Sequence, residues 1–478
     1  MAGEALSGEK KKHTICFVCD FFYPNFGGVE NHIYYLSKGL QKLGHKVIVI
    51  THVYDGHEGL CYISENRVIS PQDKYVSQRE PESNAIAGAP SSNSTMPPQS
   101  LPVYYLPKVV VYQQASLPSL YSIYGTIRRI FVQEGVQIVH GHQSTSTMAH
   151  ECMFVARALG LKTVFTEHSL YRYAELLSVD RIINKVLKMT LSDVDHVICV
   201  SNSCRDNLIA RVSRTKCPLF NGNGFISTIP NAIDGSQFVP DHTKKLPGKP
   251  KINIVIMSRF VYRKGIDMVV LLIPRICAQY KHVYFIIGGD GPKRNMIQDM
   301  IRTHALQDQV ELNNAIPHEK VRDFLVRGHI FLNCSSTESF CMALVEAAAC
   351  GLHVVSTNVG GVPEVLPSSM TQLVEPTLPD LQRALSEAVE ASTLVQTNEA
   401  NQRFHEESMR QRHKEIVAMH SWDDVTDKTV HVYDQVAALS QLGLWDRLKK
   451  YSTAGVVVGP LACFLAVSLS VWDRYFYS

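Results

Sequence analysis

Two apolar patterns alternate along the chain. Short unbroken apolar runs at 15–19, 47–51, 103–106, 196–200, 252–257, 284–287, 329–332 and 354–357 have the length and turn-bounded edges of buried strands. Stretches with apolar residues at helical spacing lie between them, among them 28–43, 120–132, 173–191 and 340–350. Repeated strand–helix–strand order predicts parallel sheets with helices on both faces, and a lysine- and proline-bearing linker at 241–250 divides the pattern into two such units. Between 64 and 102 the pattern fails. Pro71, Pro81, Pro90, Pro97, Pro98 and Pro102 stand among Ser and Asn, as expected of a flexible insertion with too little apolar surface to order itself. Residues 371–440 read mostly as helices.

The carboxyl end carries an uncharged run at 453–472, and about 20 apolar residues cross a bilayer. Arg447, Lys449 and Lys450 precede it, while Trp472 and Tyr475 lie at its far end. A spanning helix is expected, with the bulk of the chain on the cytosolic side; a buried core helix is the alternative. The domains are then 13–235, with the insertion 64–102 inside it, 236–420, a crossing helix at 421–440 and the span at 453–472.

Composition narrows the class. A chain of 478 residues with 45% hydrophobic content supports two sizeable cores. A net charge of +3 without a dense basic block argues against nucleic acid as partner, and no amino-terminal secretion signal is visible. The 12 scattered cysteines fit reduced thiols better than a disulfide framework or a zinc site, so no metal is expected.

Candidate chemistry concentrates where strands end. Glu338 lies in a polar loop between a strand and an apolar helix, the place where open α/β sheets hold ligands. Glu346 sits among Leu344, Val345, Ala347, Ala348 and Ala349, where a carboxylate costs several kcal/mol unless donors reach it. Each glutamate alone has a plain alternative, as a helix cap and as a half-exposed helix residue. Arg259 follows a strand directly, and Lys264 precedes Gly265 at a helix start; such cations can meet the charge of a departing diphosphate. Gly27 and Gly28, Gly289 and Gly291, and Gly360 and Gly361 form turns that let backbone amides approach an anion. His140, His142 and His168 end two further strands, and a lone histidine at such a place is more often structural.

The run NCSSTESFCMALVEAAACGLHVVSTNVGGVPE, starting at Asn333, resembles the signature of retaining nucleotide-sugar glycosyltransferases of GT-B architecture. That resemblance implies two Rossmann-like domains facing a central cleft, with Glu338 toward the donor sugar and Glu346 on the donor ribose. It also implies that His168, in a Thr-x-His arrangement, touches the sugar, and that the glycine turns help to bind the donor. DFFYPNFGGVENHIYYLSKGL, SRFVYRKGID and FIIGGDGPKR, with the terminal run, further resemble the catalytic subunits of phosphatidylinositol N-acetylglucosaminyltransferases. This implies transfer from UDP-GlcNAc to phosphatidylinositol at the cytosolic face of the endoplasmic reticulum membrane, in company with other subunits. Two rivals stay open: another lipid-directed glycosyltransferase, such as a mannosyltransferase, and a non-catalytic scaffold of the same fold.

Overall fold

The computed structural model describes residues 11–25, 27–54, 56–64, 67–69, 100–112, 114–171, 178–212, 225–244, 252–396 and 399–477. The chain divides into two compact units. Unit 1 takes Met1–Cys199, Asn207–Ile229 and Thr426–Ser478; unit 2 takes Val200–Asp206 and Pro230–Val425.

Unit 1 is built on β1 (Thr14–Val18), α1 (Gly28–Lys42), β2 (Lys46–His52), β3 (Gly59–Ser64), β4 (Arg67–Ile69), β5 (Leu101–Leu106), β6 (Val110–Tyr112) and β7 (Ala115–Ser116). It continues through α2 (Leu120–Glu134), β8 (Ile138–His142), α3 (Thr147–Ala158), β9 (Lys162–Glu167), α4 (Ser178–Leu191), β10 (His196–Cys199), α5 (Asn202–Val212, whose first turn falls in unit 2) and β11 (Ile226–Thr228). Nine of these strands form one sheet in the order β11-β10-β9-β8-β1-β2-β5-β3-β4. Its centre is parallel, and β1 is wholly apolar from Ile15 to Val18 because helices cover it on both faces. In α1, Ile33, Leu36 and Leu40 make the buried stripe, and Gly44 at φ 85° ends the helical run.

The insertion expected at 64–102 falls mostly outside the described residues, but its described ends are ordered. Ser64 and Arg67–Ile69 pair antiparallel at the sheet edge, and Leu101 and Pro102 begin β5. Short edge strands carry too few apolar residues to stand out against a proline-rich neighbourhood.

Unit 2 holds β12 (Ile252–Met257), α6 (Ile266–Gln279), β13 (Val283–Gly288), α7 (Arg294–Thr303), β14 (Val310–Leu312), α8 (Val321–Leu325), β15 (Ile330–Asn333), α9 (Met342–Ala349), β16 (His353–Thr357), β17 (Thr371–Val374), α10 (Leu378–Gln396) and α11 (Glu399–Met419). All six strands run parallel, in the order β14-β13-β12-β15-β16-β17. Thr371–Val374, expected in a mostly helical tail, is therefore the edge strand of this sheet. Its core packs Ile254, Ile256, Phe285, Ile287 and Leu332 against Ile266, Val269 and Ile273 of α6.

After α11, α12 (Trp422–Ala438) passes from unit 2 into unit 1, where α13 (Leu444–Ser452) and α14 (Val458–Tyr477) also lie. The uncharged 453–472 run is thus a turn followed by most of α14. Among the described residues no helix is long and apolar enough to cross a membrane. Every cysteine among the described residues is a free thiol.

Candidate functional site

In unit 2 the chain adds strands on one side of β12 and then on the other, so the loops after β12 and β15 part at the sheet's carboxyl edge, where such sheets bind ligands. The two loops are stitched by backbone. Gly265 takes φ 68°, and a Cβ there would lie 1.8 Å from the Cys334 carbonyl oxygen. The Ser336 amide donates to the Arg263 carbonyl at 2.9 Å. Gly265→Ala is therefore expected to lower unfolding stability by on the order of 2–3 kcal/mol, measured by denaturant unfolding, since no flexible side chain is there to yield.

That close approach brings the Lys264 ammonium to within 2.5 Å of Glu338 Oε1, which also accepts from Ser335 Oγ at 2.7 Å. Burial works against both charges, but each offsets the other's cost. Glu338 is held below the ordinary carboxylate range by Lys264, and Lys264 above the ordinary amine range by Glu338. Arg259 is exposed, makes no ion pair among the described residues, and lies near enough to Lys264 for its charge to oppose the ammonium. The arrangement presents a paired cation, a free cation and a carboxylate kept ionised.

Glu346 is buried in α9. Among the described residues nothing donates to its carboxylate, and burial alone pushes it up to about 7. Such a group calls for donors from elsewhere.

The glycines divide by reason. A Cβ at Gly289 would meet the Ser258 carbonyl oxygen at 1.9 Å, at Gly291 the Phe260 carbonyl oxygen at 2.7 Å, and at Gly361 the Ser339 carbonyl oxygen at 2.0 Å. These three are required by the loops' own packing. Gly360 sits at φ 53°, and the Gly361 amide donates to the Glu338 carbonyl at 2.9 Å, so this turn supports the Glu338 loop. Gly28 differs: a Cβ there meets nothing within 4 Å, which leaves the start of α1 open. At Gly27 the atoms nearest to a Cβ would be those of the Glu30 carboxylate, the far end of a flexible side chain.

In unit 1 the corresponding parting of strands lies between β1 and β8. Glu167 pairs with Arg211 at 3.1 Å, both buried, and its Oε1 accepts from the His168 and Ser169 amides at 3.1 Å. This pins the turn that carries His168. His142 Nδ1 and His168 Nε2 are 3.1 Å apart, and His32 of α1 packs edge-on to His168 with ring centroids 4.8 Å apart. His142, read from sequence as structural, therefore belongs to the same cluster, and the Nε2 of His142 is buried without a partner. Burial, then neighbouring imidazoles, hold His142 and His168 well below the ordinary imidazole range, so both are neutral at pH 7. His32, His142 and His168 offer ligand atoms within 4.8 Å of one another, the set among the described residues that could hold a divalent ion. The His142 and His168 nitrogens face each other as in an N–H···N bond rather than converging on a common point. His140 does remain structural: its nitrogens bond Tyr433 Oη and Thr166 Oγ1, each at 2.7 Å.

Two comparisons by sequence and one by structure bear on this geometry. The family model described as PIGA (GPI anchor biosynthesis) matches residues 96–175, and that for glycosyl transferases group 1 matches 240–410. The chain is 42% identical over 448 residues to the phosphatidylinositol N-acetylglucosaminyltransferase gpi3 subunit of Schizosaccharomyces pombe, covering 94% of this chain and 86% of that protein. It is 39% identical over 469 residues to the Homo sapiens protein named as a subunit of the same transferase, covering 97% and 85%. Among solved structures, a sucrose-phosphate synthase from Thermosynechococcus elongatus aligns with TM-score 0.63 at 19% identity, over 90% of this chain and all of that one. That likeness is one of fold, and the fold is GT-B.

Proposed function

Since the chain belongs to the PIGA family of phosphatidylinositol N-acetylglucosaminyltransferase subunits, we propose that it catalyses the family's sugar transfer with UDP-GlcNAc as donor and with retention at the anomeric carbon. The chain is a glycosyltransferase of the first step of GPI-anchor biosynthesis, and its acceptor is phosphatidylinositol. The observation that carries the mechanism is the Lys264–Glu338 pair beside Arg259, with an unsatisfied Glu346 in the helix that follows.

In this reading Glu346 accepts from the two ribose hydroxyls of the donor, which supply the missing hydrogen bonds. Lys264 and Arg259 neutralise the diphosphate, and their charge makes a divalent metal unnecessary for the leaving group. Glu338 faces the sugar. When the bond between the anomeric carbon and the diphosphate oxygen breaks, its electron pair leaves with UDP into the field of the two cations. An inositol hydroxyl then attacks from the face that UDP vacates, and a phosphate oxygen takes its proton, so configuration is kept. In unit 1 the same reading assigns ligand contact to His168 and the Gly27-Gly28 turn. The open space over Gly28 and the orphaned nitrogen of His142 support ligand contact there. The same reading puts the enzyme at the cytosolic face of the endoplasmic reticulum membrane with α14 as its membrane contact, and the word subunit in the relatives' names supports further protein partners.

Membranes carrying the protein, supplied separately with radiolabelled UDP-GlcNAc and GDP-mannose, test the donor. Label is expected in phosphatidylinositol from the first alone. Label from GDP-mannose alone would favour a mannosyltransferase, and label from neither a scaffold.

A further inference from the structure

Two buried imidazoles of unit 1 are joined by one hydrogen bond, and their surroundings decide which of them donates it. His142 closes β8 and His168 follows β9; the parallel register that sets His142 beside Thr166 brings His142 Nδ1 to 3.1 Å from His168 Nε2. Both ends of this contact are pinned. The Gln143 amide donates to the Thr166 carbonyl at 2.9 Å from a residue held at φ 71°, a left-handed conformation that a glutamine adopts only under constraint. The Gln143 side chain donates to Ser169 Oγ at 2.8 Å, and the Glu167 carboxylate receives the His168 and Ser169 amides. The His142 ring also stacks on His140, with centroids 4.3 Å apart, and both nitrogens of His140 are engaged by Tyr433 and Thr166.

The direction of the His142–His168 bond follows from the far side of the His142 ring. Both rings are buried and neutral, so each carries one proton, and a bond between them allows two arrangements. If His168 donated from Nε2, the proton of His142 would sit on Nε2, which is buried and has no partner among the described residues. An orphaned buried N–H is the rarer defect, and a ring nitrogen bearing only a lone pair is the lesser one. His142 therefore donates from Nδ1, and His168, accepting at Nε2, carries its own proton on Nδ1.

We infer that His142 is a positioning residue for sugar transfer: it acts through His168, whose Nδ1 it commits to the role of donor, so that His168 meets an oxygen of the bound sugar as a neutral N–H. The inference deepens the reading that His168 touches the donor sugar, and rests on it for the choice of ligand. The same arrangement leaves His142 Nε2 a bare acceptor, able to receive a hydroxyl.

The direction of the bond is tested first, on the purified full chain without ligand. With nitrogen-15 histidine, and the His168 signals assigned by their loss in His168→Ala, nuclear magnetic resonance at pH 7 is expected to show a protonated Nδ1 and a bare Nε2 on His168. The opposite pattern would overturn the inference, and this spectrum decides even where a substitution costs the fold. Transfer of labelled sugar is then measured in membranes carrying each full-length variant. His142→Leu, which removes the donor, is expected to slow transfer about tenfold, the scale of one hydrogen bond lost at a reacting site. His142→Asn places an amide nitrogen about where Nδ1 was, and is expected to recover most of the rate. In a His168→Ala background the leucine is expected to add a loss of less than about twofold. A full further loss in that background, an asparagine variant as slow as the leucine one, or an unaffected His142→Leu would each overturn the positioning role. Wild-type transfer by His168→Ala would instead remove the sugar contact, and with it the ligand, while the spectrum still judges the pair.

Discussion

Replacing Lys264 with alanine is expected to lower turnover by about a thousandfold, because removing one fixed donor from a developing oxyanion costs on the order of 10²–10³ in rate. The lysine sits in a turn whose shape is set by backbone, through Gly265 against the Cys334 carbonyl and Ser336 against that of Arg263. The turn should therefore survive the truncation. The melting temperature should fall as well, since Glu338, its side chain 11% exposed, loses the cation that offsets its burial and keeps only the Ser335 hydroxyl of the two bonds described above. Lys264→Arg keeps the charge but not its point geometry, and is expected to recover only part of the rate. Transfer of radiolabelled sugar to lipid, with a thermal melt of each variant, separates lost chemistry from lost fold. Near-normal turnover in Lys264→Ala would remove the lysine from the mechanism.

Glu346→Gln is expected to make the free protein more stable and its donor binding weaker, opposite signs that a merely structural glutamate would not give. In the folded chain this carboxyl titrates at about 7, against about 4.3 when unfolded. Below the lower value both states are protonated and the residue is neutral toward stability. As pH rises through the interval, the unfolded state ionises while the folded state resists, so stability falls by up to about 4 kcal/mol and levels off above neutrality. Glutamine removes that slope, so unfolding in denaturant at pH 8 should show the variant more stable than wild type. Its affinity for the nucleotide sugar should drop about 10- to 100-fold, since neutral acceptors replace charge-assisted ones. A variant that loses both stability and affinity would mark Glu346 as a packing residue.

Much of unit 2 was legible because its chemistry sits where a periodic pattern stops. The apolar run of β12 ends in Ser258 and Arg259, and Glu346 interrupts an otherwise apolar helix, so both were conspicuous without coordinates. Glycine was harder to read. The residues at 289, 291 and 361 read as ligand turns, and the sequence does not show that their own backbone neighbours also forbid a side chain there. The histidine cluster was half hidden, because His32 lies on α1, His142 ends β8 and His168 follows β9, and only the strand order brings them together. Ser335 likewise showed nothing until its hydroxyl was seen on Glu338. At the carboxyl end the sequence reports that a run is apolar, but not which face meets protein; the alternation of Gly459, Ala462 and Ala466 with Leu461 and Phe464 could have hinted at two faces.

The central claim is that unit 2 grips the donor through an electrostatic clamp and a buried acid that the donor itself satisfies. Calorimetric titration of UDP-GlcNAc at pH 7, in two buffers of different ionisation enthalpy, tests it directly. Ribose hydroxyls that donate to Glu346 favour its charged form, so binding should release on the order of half a proton in wild type and none in Glu346→Gln. Tight binding with no proton released, or the same release from the variant, would contradict the account.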